Sequence, residues 1–112
     1  MDKITKKYEL MLILDAHLSK DDKDAIIKSV NDVINKSGGK VINTQVWFEK
    51  QKFTFEIKKK SEGTYYLINF AAEKPAIAKI RAYLRLNEKI LRSLILEVAA
   101  HATKEAVQAS IN

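Results

Sequence analysis

The chain has no cysteine. Disulfides, thiolate nucleophiles and cysteine metal sites are excluded, and the composition suits a reducing cytoplasm. Proline occurs once and glycine three times in 112 residues. Few positions interrupt regular structure, and the 46% hydrophobic content should pack into one globular domain. No apolar run nears the roughly 20 residues that cross a bilayer, so no membrane association is expected. The opening MDKITKKYEL lacks an apolar stretch before a small-residue cleavage site and does not read as a secretion signal. Histidine is scarce: His17 and His101 stand far apart without ligand clusters, which supports neither a metal nor a general base. The acids of KDDKD fall at a helix start and lack the glycine turn of a calcium loop. Gly38-Gly39 is a helix stop rather than a phosphate-cradling loop. No enzyme activity, cofactor or small-molecule substrate is indicated.

Arginine is scarce as well. The chain has seventeen Lys and three Arg, and the arginines are Arg81, Arg85 and Arg92, within twelve residues of one another. Such concentration in a lysine-rich chain indicates a need for the planar guanidinium fork, which grips phosphate or carboxylate with two parallel hydrogen bonds. The charge is equally uneven. Residues 1–37 hold seven Lys and seven Asp/Glu, and residues 99–112 hold one of each sign. Residues 38–98 hold twelve Lys/Arg against six Glu, which accounts for the whole net charge of +6. An anionic partner for that half is expected.

Hydrophobic periodicity divides the chain into six elements. YELMLILD (8–15) is a short apolar run with acids at its edges, as in a buried strand. Ser19 caps a helix that begins KDDKD, with Asp22 placed as in a capping box and Ile26, Val30, Val33 and Ile34 as its buried stripe. Gly38 and Gly39 stop it. KVINTQVWF and KFTFEIK form one long strand with an irregularity near Glu49–Gln51, and in its second part Phe53, Phe55 and Ile57 share a face. KKKSEG reads as a turn and TYYLINFAA (64–72) as the returning strand. Pro75 opens a second helix whose buried stripe is Ile77, Ile80 and Leu84. After Asn87 the period drops to two in ILRSLILEV, the last strand.

The order β-α-β-β-α-β is the ferredoxin-like arrangement of the α+β class, a four-stranded antiparallel sheet with two helices on one face. It would occupy residues 1–98, leaving 99–112 as a C-terminal tail, a short helix or flexible. The opposite sheet face should be polar if it meets water. Here Met11 and Ile13 are apolar on the side opposed to Leu10, Leu12 and Leu14, and in the last strand Leu94, Leu96 and Val98 oppose Leu91 and Ile95. Either ordinary surface apolar residues or a covering partner protein accounts for this.

Three stretches carry a resemblance to the bacterial small-subunit ribosomal protein S-six family, across residues 6–98. KKYELMLIL resembles that family's opening, VWFEKQKFTFEI its tryptophan-containing segment, and LRLNEKILRSLIL its closing signature almost position for position. The chain departs from the family pattern at Phe48 and Glu49, where glycine is usual, and at Phe55-Glu56-Ile57, where tyrosine-proline-isoleucine is usual. The resemblance implies a non-catalytic ribosomal component that binds the central domain of small-subunit ribosomal RNA as a heterodimer with ribosomal protein S-eighteen. It implies RNA contacts from Lys6, Lys7, Tyr8, Lys50, Lys52, Arg85, Asn87 and Arg92, and a partner-protein interface at Met11, Ile13, Trp47 and Phe48. Two other readings share the fold. EGTYYLINF is loosely similar to the third-strand aromatic motif of an RNA-recognition motif, a binder of single-stranded RNA, although its glycine-aromatic spacing is absent. A ferredoxin-like regulatory or ligand-binding module, or an acyl-phosphate hydrolase, is the remaining class, but DAHLSKDDKD after the first strand is acidic, the wrong sign for cradling phosphate.

Overall fold

A computed structural model describes residues 5–98, and the tail expected at 99–112 lies outside them. The elements run β1 (Thr5–Asp15), α1 (Lys20–Lys36), β2 (Lys40–Ile57), β3 (Lys60–Glu73), α2 (Lys74–Leu86) and β4 (Ile90–Glu97). They form a four-stranded antiparallel sheet in the order β2-β3-β1-β4, so β2 and β4 are its edges. The expected ferredoxin-like fold is the observed one.

Local chemistry sets the ends of α1. The Ser19 hydroxyl accepts the Asp22 amide at 3.1 Å, satisfying one of the free N–H groups of the first turn. At the other end Gly38 takes φ +94°, its amide donates to Asn35, and the Gly39 amide donates to Ile34 at 2.8 Å. These two bonds close a Schellman stop. Gly39 serves a second need, since a Cβ there would lie 2.9 Å from the Ile34 Cγ2 atom. The buried stripe of α1 is Ile26, Ile27, Val30 and Ile34. Ile27 takes the place expected of Val33, which is only partly buried.

Both helices cover one sheet face. Leu10, Leu12 and Leu14 of β1 meet Ile77, Ile80 and Leu84 of α2 and the α1 stripe in the main core, with Tyr8 stacked on Phe70 at 5.5 Å. The other face of β1 is buried too. Met11 and Ile13 are both 0% exposed. They form a second core with Tyr65, Leu67 and Leu91, against which Trp47, Phe48, Phe53 and Ile57 pack.

The cover comes from the β2–β3 hairpin. The strands turn through Lys58 and Lys59 alone, with φ +50° and +66°. This is tighter than the expected turn over KKKSEG, so β3 starts at Lys60. Positive φ at both central residues matches the right-handed twist of a hairpin, although lysine carries no signal for it. The tip bends across the sheet: the Lys58 ammonium donates to the Ile90 carbonyl of β4 at 3.1 Å, and Lys60 pairs with Asp15 at 3.3 Å. Gly63 permits the bend, since a Cβ there would lie 2.5 Å from the Phe53 ring and 2.6 Å from Ile13. Phe55 was expected on the face of Phe53 and Ile57 but is 79% exposed. It lies in the part of the hairpin beyond the last residue of β1, which pairs with Gly63.

Register breaks aim the aromatic cover. Between Val46 and Phe48 the pairing with β3 slips by one residue, and Trp47 and Phe48 both pack on the second core, their rings stacked at 5.3 Å. The irregularity expected near Glu49–Gln51 is present: Phe48 opposes Tyr65 but Gln51 opposes Gly63. There the buried Thr64 hydroxyl donates to the Glu49 carbonyl at 2.6 Å, supplying a partner that the ladder cannot. A third slip lies in β4, where Ile13 opposes Arg92 and Leu14 opposes Ile90. The extra residue, Leu91, therefore joins the second core with Leu94 and Leu96, and not Ile95 as simple alternation implies.

These contacts yield two predictions. Gly63→Ala should cost about 1–3 kcal/mol, the usual penalty for forcing a methyl into packed surroundings, measured by denaturant unfolding. Burial alone would raise the Asp15 pKa, but the His17 amide, Lys60 and the His17 ring outweigh it and hold the carboxyl below its ordinary value. A depressed pKa means the ionised form is favoured by folding, so its stabilisation is full above the unfolded pKa and is lost as pH falls through the folded one. The stability gap between wild type and Asp15→Asn should therefore be widest near neutrality and close below about pH 4. A gap that stays constant down to pH 2 would contradict this.

Candidate nucleic-acid interface

The corner from α2 to β4 is built by one residue. Asn87 ends α2, with its amide donating to Leu84, and its carbonyl accepts the Ile90 amide at 3.1 Å. Its side-chain oxygen accepts the Lys89 amide at 3.0 Å. Such a local side-chain turn is a recurrent use of asparagine. Asn87, expected to meet RNA, uses that oxygen to hold the corner.

Arg85 stands in the last turn of α2, where a cation complements the negative end of the helix. It lines an open depression of about 400 Å³ with Arg81, Ser93, Leu94 and Ile95. A second depression of similar size adjoins it, lined by Lys6, Tyr8, Lys74, Ile77, Ala78, Arg81, Ile95 and Glu97. Arg81 and Ile95 border both, so together they form one groove between α2 and the β4 edge. Among the described residues neither Arg81 nor Arg85 has an acidic partner. Lys6 does: it pairs with Glu97 at 3.0 Å, and that hydrogen bond and charge raise its pKa.

Arg92 faces the other way. It is exposed opposite Ile13, on the sheet face that the hairpin covers. Burial pushes the nearby Tyr65 phenol above its ordinary pKa, and the Arg92 charge partly offsets that. The two arginines that flank the corner in sequence thus straddle the β4 edge rather than forming one cluster. Lys50 and Lys52 are exposed near the opposite edge, and Lys50 pairs with Glu62 at 3.5 Å. Lys7 is exposed, and its carbonyl accepts the Val98 amide at 2.8 Å.

Three expected site residues are structural instead. Tyr8 is 6% exposed. Its ring is spent on Phe70, so it cannot stack on a base and only borders the groove. Met11 and Ile13, expected at a partner interface, lie beneath the chain's own hairpin. Trp47 and Phe48 pack against the second core and remain partly exposed. The sequence reading also left Arg81 and Lys74 out of the site. Their spacing from Arg85 was the available signal: positions 74, 81 and 85 repeat at near-whole helical turns.

The open face bears on the RNA-recognition-motif reading, which needs exposed rings on the sheet. Tyr65 and Tyr66 point to opposite faces, and both are buried, Tyr65 at 2% exposed under Phe48 and Phe53. The strand rings that reading needs are buried, and it is set aside.

Comparison with known proteins gives a consistent result. A family model described as Ribosomal protein S6 matches residues 7–97. Small ribosomal subunit protein bS6 of Micrococcus luteus is 36% identical over 91 residues, covering 81% of this chain and 89% of that protein. The protein of the same name from Streptomyces coelicolor is 33% identical over 96 residues, covering 86% and 99%. Among solved structures, 30S ribosomal protein S6 from Thermotoga maritima aligns with a TM-score of 0.79 at 22% identity, over 96% of this chain and 99% of that one. A structure of the chemotaxis kinase CheA P2 domain with the response regulator CheY, also from Thermotoga maritima, aligns at 0.57 and 19% identity, over 85% and 100%. At those identities both structures establish the shared fold alone.

The covered face makes a prediction that separates folding from binding. Ile13→Glu and Met11→Glu each place a carboxylate in an apolar site with no partner, which costs several kcal/mol. Both variants should lose cooperative unfolding or melt far below wild type. Variants that melt normally and lose only a binding partner would mean that the hairpin does not cover this face in solution.

Proposed function

The chain belongs to the ribosomal protein S6 family, structural proteins of the small ribosomal subunit and not enzymes, and on that premise we propose that it binds the central domain of small-subunit ribosomal RNA as a heterodimer with ribosomal protein S-eighteen. It does so on the ribosome, in the cytoplasm. The observation that carries the RNA reading is the edge formed by α2 and β4, where Arg81 and Arg85 stand exposed without acidic partners among the described residues. Unpaired guanidinium groups on a rigid helix are prepared for phosphate, since no internal bond must break first. The corner held by Asn87 fixes Arg85 relative to β4, and the sheet fixes the backbone of Arg92. Lys50 pairs with Glu62, so it contributes less than its exposure suggests.

The partner-protein reading now rests on Trp47 and Phe48. Their stacked rings pack on the second core and are each partly exposed. Aromatic residues in that position commonly anchor interfaces. Met11 and Ile13 support the anchor from beneath and do not reach the surface.

Titration of a central-domain RNA fragment, with S-eighteen present, tests the proposal. Affinity should fall steeply with salt, because each phosphate neutralised releases counterions. A flat salt dependence with binding intact would sink the electrostatic account, and no binding would sink the whole reading. Arg92→Lys keeps the charge and loses the fork. It should weaken binding by about 1 kcal/mol or somewhat more, with unfolding unchanged. Equal affinities would leave Arg92 as a structural residue of the edge.

A further inference from the structure

We infer that the exposed stripe Lys74–Arg81–Arg85 of α2, with the β4 edge beside it, is a track for the phosphate backbone of one RNA strand, read without regard to base sequence. The inference rests on the RNA-binding reading above and extends it to Lys74 and Arg81.

The geometry follows from the helix. Positions seven and eleven residues apart fall within about 40° of one another on a helix of 3.6 residues per turn, so Lys74, Arg81 and Arg85 share one line. At 1.5 Å per residue they are spaced by about 10 Å and then about 6 Å along it. All three are exposed, and so is Ala78, the residue between Lys74 and Arg81 on the same side. Its small side chain keeps the floor low. The adjoining depressions make the track continuous, with Ser93 and Ile95 as its β4 wall. At the Lys74 end the charge is lower, because Glu97 also lines the groove and neutralises Lys6.

Cations at fixed steps along a line suit a polyanion with repeated charges better than one small anion. An acidic protein segment fits less well. A protein interface normally has an exposed apolar or aromatic centre; here the apolar lining, Tyr8, Ile77, Leu94 and Ile95, is buried or half-buried, and among the described residues the exposed large apolar side chains are Ile42, Val46, Phe55 and Leu86. Leu86 follows Arg85 about 100° further around the helix and off the line. Base reading is also unsupported, since positioning contacts to phosphate carry no sequence information.

The test uses the full chain with S-eighteen and two RNAs, the central-domain fragment and a scrambled RNA of equal length. The variants are Lys74→Gln, Arg81→Gln and the double variant, with Lys28→Gln on α1 as the control. Arg81→Gln should weaken binding to both RNAs by the same factor, roughly tenfold at low salt, and each substitution should lower the log–log salt slope by about 0.7 to 0.9. Lys28→Gln should change neither. If the groove variants match the control while wild type binds, the track is refuted and the RNA reading stands. If only affinity for S-eighteen falls, the groove holds an acidic protein surface and the inference is overturned. If wild type binds neither RNA, the function and the track fall together.

Discussion

The structure depends on burying five consecutive residues of β1, Leu10 to Leu14, on both faces of a sheet that has helices on only one. A strand apolar on both sides needs two covers. Two helices supply the first. The second is the β2–β3 hairpin, which is long enough to bend back across the strands it belongs to. The bulges, the glycine at 63 and the hydroxyl of Thr64 follow from that requirement. Each lets β2 leave regular pairing without stranding a backbone carbonyl or forcing a clash.

The same bend links folding to function. By filling the open face, the hairpin removes the sheet surface that ferredoxin-like RNA binders commonly use for stacking bases. Away from that face, the α2–β4 edge presents Arg81 and Arg85 to an anionic partner. The edge is rigid because both of its backbones are fixed. The helix packs on β1 through Ile77, Ile80 and Leu84, and Asn87 ties its end to the start of β4. The Lys58 ammonium on the Ile90 carbonyl joins the hairpin tip to the same corner. A partner that meets Trp47 and Phe48 and an RNA that meets α2 would therefore contact two sides of one connected unit.

The chain's departure from the family pattern also has a physical consequence. Where the resemblance implies glycine after the tryptophan, Phe48 and Glu49 stand here. Phe48 packs edge-on against Tyr65 at 5.7 Å, and the Thr64 hydroxyl pins the neighbouring register slip at Glu49. Phe48 thus packs on the second core.

The element order, the Ser19 cap, the glycine stop and the stripe of α2 were legible in the sequence, because each depends on residues within about one helical turn or on strand alternation. The concentration of charge in residues 38–98 was legible for the same reason, and so was the family signature. Three things were decided only by tertiary structure. The faces of Leu91, Trp47 and Phe48 depend on single-residue slips that alternation cannot reveal. The burial of Met11 and Ile13 depends on a hairpin more than thirty residues away, turning through two lysines that carry no turn signal. The separation of Arg85 from Arg92, and the placing of the Lys74–Arg81–Arg85 stripe beside β4, depend on where a helix stripe and a strand edge meet. Sequence fixes which residues are apolar and which are charged, but only the packed chain settles which of them share a surface.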